Sequence, residues 1–250
     1  DDAVAGDEDP VGDLDVAASS WRKGNRFTWH EQRDGTWVTH LIEGDIAETR
    51  TVEATDMKGN GRPDLLGTPR VAGQVMWYEN PGDPGRQAWR KHLIDTPPRP
   101  AHGHAVDMDG DGVLDVVMAV GTETQSADEI FGRQVVWYEN EGAPGAGPWR
   151  KHLIGDDLPE AFVAVAAVLD GEGQIEVVAT GWGEQGWLAL FKHGGDPRGP
   201  WRRQMLKTGW SRAAQVIVAD LDSDGRLDIV ACAERGSNEV RWWHNEGPPR

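Results

Sequence analysis

Cysteine is nearly missing. Cys232 stands alone among 250 residues, so no disulfide can form within the chain and cysteine usage does not fix the redox compartment. Long apolar runs are missing too: Ala161–Leu169 is the longest, and a membrane-spanning helix needs roughly 20 apolar residues. The first residues, Asp1-Asp2-Ala3, do not read as a secretory signal. Positive charge is scarce, with 25 Lys and Arg against 42 Asp and Glu, a net charge of −17 and a pI near 4.8. That balance excludes a phosphate-tracking, nucleic-acid-binding surface and suits cations.

Turn formers and indoles are abundant. The chain holds 32 Gly and 15 Pro, yet 38% of it is hydrophobic and it carries 13 Trp, which together describe a folded, turn-rich protein rather than a disordered one. At this length one domain spanning 1–250 is expected.

The stretch Asp107–Asp115 reads D-M-D-G-D-G-V-L-D, with carboxylates at the first, third, fifth and ninth positions and Gly112 at the sixth. Hard cations such as Ca²⁺ take about six to eight oxygen ligands, and a glycine permits the bend that wraps a loop around one. The pattern returns at Asp220–Asp228 as D-L-D-S-D-G-R-L-D. An EF-hand would need a bidentate Glu at the twelfth position, where Met118 and Ala231 stand instead. The flanking segments are short and β-branched, so the loop joins strands rather than helices.

Five such units appear, with loops at 7–15, 56–64, 107–115, 168–176 and 220–228 and their last acids recurring about every fifty residues. A third-strand segment recurs in register, as Val75-Met76-Trp77-Tyr78-Glu79-Asn80 and Val135-Val136-Trp137-Tyr138-Glu139-Asn140. So does a fourth, as Trp89-Arg90-Lys91-His92-Leu93-Ile94 and Trp149-Arg150-Lys151-His152-Leu153-Ile154. Four strands per unit, repeated, predict an all-β β-propeller of five four-stranded antiparallel blades. The last unit stops before a fourth strand, so either the ring closes with a three-stranded last blade, or residues beyond the given ends belong to a larger ring, or a partner or second copy covers the edge.

These loops, with the W-Y-E-N and W-R-K-H-L-I segments, resemble the VCBS/FG-GAP class of calcium-loop propeller repeats. The class is found in integrin α-subunit heads, fungal sugar-binding propellers, and aldos-2-ulose dehydratase and ulvan lyase propellers. The resemblance covers all five units and implies an extracellular, calcium-stabilised scaffold; it does not by itself fix an activity.

For metal, the third unit offers Asp107, Asp109, Asp111 and Asp115 with the Val113 carbonyl, and the fifth offers Asp220, Asp222, Asp224 and Asp228 with the Arg226 carbonyl. Four carboxylates this close repel one another unless a cation sits among them. Unit two carries Lys58 at the third position, where an ammonium is expected to pair with Asp56 and Asp64 in place of an ion. Unit one has Val11 at its fifth position, and unit four opens on Val168 and uses the longer Glu172 and Glu176. Calcium is expected to be structural, and its presence in the first, second and fourth loops stays open.

The repeating tryptophans, and His40, His92 and His152, are expected to pack the repeats. Residues that do not repeat, on the links away from the acidic loops, are the candidates for recognition: Trp21, Arg70, Trp182, Trp210 and Arg235 for a carbohydrate or protein ligand. Sugar C–H faces stack on indole while hydroxyls and carboxylates seek charged partners. Three functions remain: a secreted or periplasmic carbohydrate- or protein-binding module, a structural piece of a larger propeller, or a polysaccharide lyase or sugar dehydratase. In the enzyme, Arg50 or Arg212 would hold an acid and His102 or His104 would act as base.

Overall fold

The computed structural model describes residues 2–6, 14–20, 24–121, 133–171 and 173–247. Among them every regular element is a strand. The chain divides into two compact units, one built mainly from residues 1–100 and the other mainly from residues 101–250.

The first unit holds two four-stranded sheets, each in simple sequential order. One comprises β1 (Asp2–Gly6), β2 (Asp15–Ser20), β3 (Arg26–Arg33) and β4 (Thr36–Glu43). The other comprises β5 (Thr49–Thr55), β6 (Asp64–Pro69), β7 (Val75–Glu79) and β8 (Arg90–Asp95). The core is Ala17, Phe27, Ile46, Val52, Leu65, Met76 and Tyr78.

In the second unit, β9 (Pro100–Val106), β10 (Asp115–Val120), β11 (Gln134–Glu139) and β12 (Arg150–Gly155) form one meander. A second is made by β13 (Ala161–Ala167), β14 (Glu176–Gly181), β15 (Trp187–His193) and β16 (Trp201–Lys207). The two join into one eight-stranded sheet through a parallel pairing of β9 with β13 at His102 and Val163. A three-stranded sheet follows, β17 (Ala213–Ala219), β18 (Asp228–Ala233) and β19 (Glu239–Trp243).

Position within a meander explains composition. The second strands β6, β10 and β14 are buried at every residue, which is why they read as unbroken apolar runs such as Val116–Val120. The fourth strands lie at the edges of the meanders and alternate, so β8 and β12 carry Arg and Lys outward and bury Ile94 and Ile154. Gly103 is fixed by packing: a Cβ there would lie 2.0 Å from the Val117 carbonyl oxygen, so the strand passes β10 only without a side chain.

Trp29, Trp77 and Trp137 are almost fully buried, as their repeat register predicts. Trp37 and Trp242 depart from that expectation, with 55% and 51% exposure, because each lies on a strand that no described neighbour covers on that side.

Candidate functional site

Two sets of side chains recur in the frame of the sheets: the acidic loops at one end of the strands, and the residues around the strand entries at the other.

In each loop the ninth acid is buried and ties the loop to its own sheet. The Oδ1 atoms of Asp15, Asp64 and Asp228 accept from the backbone N–H of Gln32, Asn80 and Asn245, each at 2.8 Å. Asp115 Oδ2 and Glu176 Oε2 accept from Met108 N at 3.0 Å and Leu169 N at 2.7 Å, closing the loop across its own ends. These bonds make the carboxylate a structural part of the turn with or without an ion.

The earlier acids organise the tip. Asp107 Oδ1 accepts from Gly110 N at 2.8 Å and Asp111 N at 3.2 Å, and Asp109 Oδ1 accepts from Asp111 N at 3.2 Å. Asp107, Asp109 and Asp115 each bring one oxygen within 4.8 Å of the others. This donor set is all hard oxygen, the chemistry that suits Ca²⁺ or Mg²⁺ rather than a thiophilic metal. Asp109 is also capped by the Arg198 guanidinium, which reaches Glu139 Oε1 at 2.6 Å as well. Arg198 thus places positive charge where the carboxylates converge, and it holds Glu139 below the usual carboxylate range.

In the fifth loop the group that converges is Asp222, Asp224 and His244, with His244 Nε2 2.9 Å from Asp222 Oδ2 and 3.8 Å from Asp224 Oδ2. Arg226, expected only as a carbonyl donor, pairs its side chain with Asp224 and donates from Nε to the Asn245 carbonyl at 2.7 Å. His244 escaped the sequence reading, although W-W-H-N in place of W-Y-E-N marks it.

Strand register gives the reason. Counting from the ninth acid, Glu31, Glu79, Glu139, Lys192 and His244 occupy one position, and in units two, four and five the residue there pairs with the third loop residue. Unit two pairs Lys58 with Glu79 at 2.5 Å, and unit four reverses the charges as Lys192 with Asp170 at 3.1 Å. Lys58 makes its direct ion pair with Glu79 of the neighbouring strand, and its charge acts on Asp64 only through space, as the smallest of the effects on that carboxyl. Asp64 Oδ2 stays buried without a hydrogen-bond partner among the described residues, and burial pushes this carboxyl up to about 6. In unit three both places are acids, Asp109 and Glu139, and Arg198 bridges them.

The same glutamates anchor the repeated histidines. His40, His92 and His152 bond Glu31, Glu79 and Glu139 at 2.9, 2.9 and 2.6 Å. Each imidazole stacks flat on Trp29, Trp77 or Trp137 with centroids 4.2–4.4 Å apart. These histidines are packing elements, as read from the repeat.

At the other end a constant backbone frame carries variable side chains. Glu48, Arg99, Glu160 and Arg212 all adopt positive φ, of 54°, 48°, 50° and 58°, one residue before a first strand. The carbonyls of Glu48, Glu160 and Arg212 accept from the N–H of Arg70, Trp182 and Glu234 at 2.9, 2.9 and 3.0 Å. What those pairs display differs from unit to unit. In the first unit Arg70 is buried and bonds Glu48 at 2.5 Å. In the second, Arg212 lies 4.3 Å over the Trp182 ring, whose Nε1 donates to Glu234 at 2.9 Å. Phe162 lies 6.3 Å from Trp182 on centroids and His102 4.9 Å from Phe162. His102, Phe162, Trp182 and Arg212 form a continuous half-buried strip.

The remaining candidates fall elsewhere. Trp210 is 1% exposed and donates to Glu239, so it belongs to the core and not to a face. Arg235 is exposed beside Glu234, Arg50 is half-buried in the first unit, and Trp21 lies outside the described residues. His104 Nε2 accepts from Ala166 N at 2.8 Å, which commits the ring to joining β9 and β13, and burial pushes it down to about 4. Of the two histidines of the His102-Gly103-His104 stretch, His102 is the one on the strip.

The architecture is shared with β-propeller proteins of known structure. A thermostable family-43 glycoside hydrolase is 13% identical with a TM-score of 0.57, over 98% of this chain and 92% of its own. The nidogen of a nidogen/laminin complex gives 10% and 0.56, over 91% and 73%. A variant of the Aleuria aurantia lectin in complex with alpha-methyl-L-fucoside gives 12% and 0.51, over 96% and 72%. No curated protein matches significantly in sequence. The model of the FG-GAP-like repeat matches residues 56–118 and 169–231, together half of the chain, and the chain belongs to this family. Each matched segment starts at an acidic loop or within it and runs through the next one, taking in loops two and three, then four and five.

Proposed function

We propose that this chain is a carbohydrate-binding β-propeller module built of five repeats, held in shape by calcium in its third and fifth loops. The observation that carries the binding reading is the strip of His102, Phe162, Trp182 and Arg212 with Glu234, mounted on strand entries whose backbone repeats while its side chains do not. Rigid aromatic edges flanked by a guanidinium and a carboxylate supply apolar surface for sugar rings and charged partners for hydroxyls. Carbohydrate-active and lectin proteins among the structural neighbours agree with this reading. The ions would be held by Asp107, Asp109 and Asp115 and by Asp222 and Asp224 with His244, supplying cross-linking of the turn and no Lewis-acid step. Loops that bind calcium in the millimolar range suit work outside the cytoplasm.

A glycan array followed by titration calorimetry tests it. Trp182→Ala and Arg212→Ala should each weaken the best glycan by about tenfold or more, as loss of a central aromatic or Arg anchor does. Far-UV circular dichroism should stay unchanged. Equal affinity in both folded variants, or no glycan bound by the wild type, refutes the assignment.

A further inference from the structure

The turn between β15 and β16 sends a guanidinium into the third acidic loop. Arg198 Nη2 pairs with Asp109 Oδ2 and lies 2.6 Å from Glu139 Oε1, to which Nε also donates at 3.1 Å. The turn fixes where this side chain starts. Arg198 N donates to Asp196 Oδ1 at 2.9 Å, and the Pro197 carbonyl accepts from two indoles, Trp137 Nε1 at 3.3 Å and Trp201 Nε1 at 2.9 Å. The carboxylates it meets are sheltered, the Asp109 and Glu139 side chains being 2% and 8% exposed. Both oxygens of Asp109 are thereby engaged, since Oδ1 accepts from Asp111 N at 3.2 Å.

The turn between β11 and β12 shows the alternative. Pro144 and Gly145 stand there where Pro197 and Arg198 stand in the later turn, and the Pro144 carbonyl likewise accepts from two indoles, Trp77 Nε1 at 3.3 Å and Trp149 Nε1 at 3.2 Å. The acidic loop beside those residues carries Lys58 where the third loop carries Asp109, and Lys58 pairs with Glu79 as Arg198 pairs with Glu139. A Cβ at Gly145 would lie 3.1 Å from the His92 ring, which leaves little room for a side chain. Each of these two glutamates therefore has one cation. Where the loop supplies it, the turn has glycine; where the loop has aspartate, the turn supplies arginine. In the third loop that arginine holds a carboxylate that a divalent ion needs.

We propose that Arg198 competes with calcium for Asp109 and so sets the affinity of the third loop, an inference that rests on calcium occupying that loop. An ion arriving there must take Asp109 from its partner and meets a like charge beside it. By linkage, the ion loosens the hold of Arg198 on Asp109 by the same factor. Calorimetric titration of calcium chloride into an Asp222→Ala parent, with the fifth loop disabled, tests it. Arg198→Gln in this parent should bind calcium about tenfold or more tightly than the parent does. Adding Asp109→Ala should abolish that gain. Arg198 is 40% exposed, so its substitution leaves the core untouched. Scanning calorimetry then separates competition from packing. Without calcium Arg198→Gln should melt below the parent, because Asp109 and Glu139 lose their cation, and saturating calcium should close the gap. An arginine that only packs would leave the same gap in both conditions. If the parent binds calcium, then equal affinity in Arg198→Gln, a gain that survives Asp109→Ala, or a melting gap indifferent to calcium overturns the competition and leaves the calcium reading standing. Calcium bound by neither protein overturns both.

Discussion

His104 makes stability sense acid in a calculable way. Its Nε2 accepts from Ala166 N across the joint between β9 and β13, and burial lowers the ring from an ordinary 6.5 to about 4. The folded state therefore holds this imidazole neutral while the unfolded chain protonates it. The contribution is fully present above pH 6.5 and is lost as pH falls toward 4. A shift of this size corresponds to about 3 kcal/mol. Asp64 works in the opposite sense: burial raises it from 3.8 to about 6, so its contribution is full below 3.8 and is lost as pH rises through 6. The two nearly offset each other between pH 4 and 6, so the wild-type profile alone is uninformative. The difference from His104→Gln isolates the imidazole, because an amide oxygen accepts the same bond without titrating. Urea unfolding followed by tryptophan fluorescence at pH 7, 6, 5 and about 4 should show the wild type losing about 3 kcal/mol relative to His104→Gln. A difference that stays constant across this range refutes burial of a neutral ring at the joint.

Two further outcomes follow from the loops and the stacks. Chelation should lower the melting temperature and calcium restore it, by about 5–10 °C at a hundredfold excess over the dissociation constant. Asp109→Ala and Asp222→Ala should each blunt that response in scanning calorimetry, and wild-type melting of both in saturating calcium would count against the ions. His152→Ala removes a 4.4 Å stack on Trp137 and a 2.6 Å bond to Glu139, and should cost about 2 kcal/mol in urea titrations. Arg150→Ala, an exposed residue of the same strand, should cost less than about 0.5 kcal/mol, and equal losses would refute the packing role of the histidine.

Much of the architecture was legible because repetition multiplies weak signals. Asp107–Asp115 alone suggests a turn, but its return near every fiftieth residue, with W-Y-E-N and W-R-K-H-L-I in step, specifies meanders of strands. The packing role of His40, His92 and His152 could be read for the same reason. Trp210 was misplaced on a face because an isolated tryptophan carries no periodicity to say which side of a strand it takes.

The linear sequence by itself determined the all-β repeat, the acidic turns and their ligand chemistry, since these depend on residues a few positions apart. Tertiary structure decided the partners. That Lys58 meets Glu79, that Arg198 bridges Asp109 and Glu139, and that Trp182 sits under Arg212 all depend on strands about 20 to 90 residues apart lying side by side. An electrostatic or stacking interaction is set by distance in space, and the chain records only distance along itself. The acidic loop is thus specified locally, and whether it faces an ion, a lysine or a guanidinium is settled by whichever strand arrives beside it.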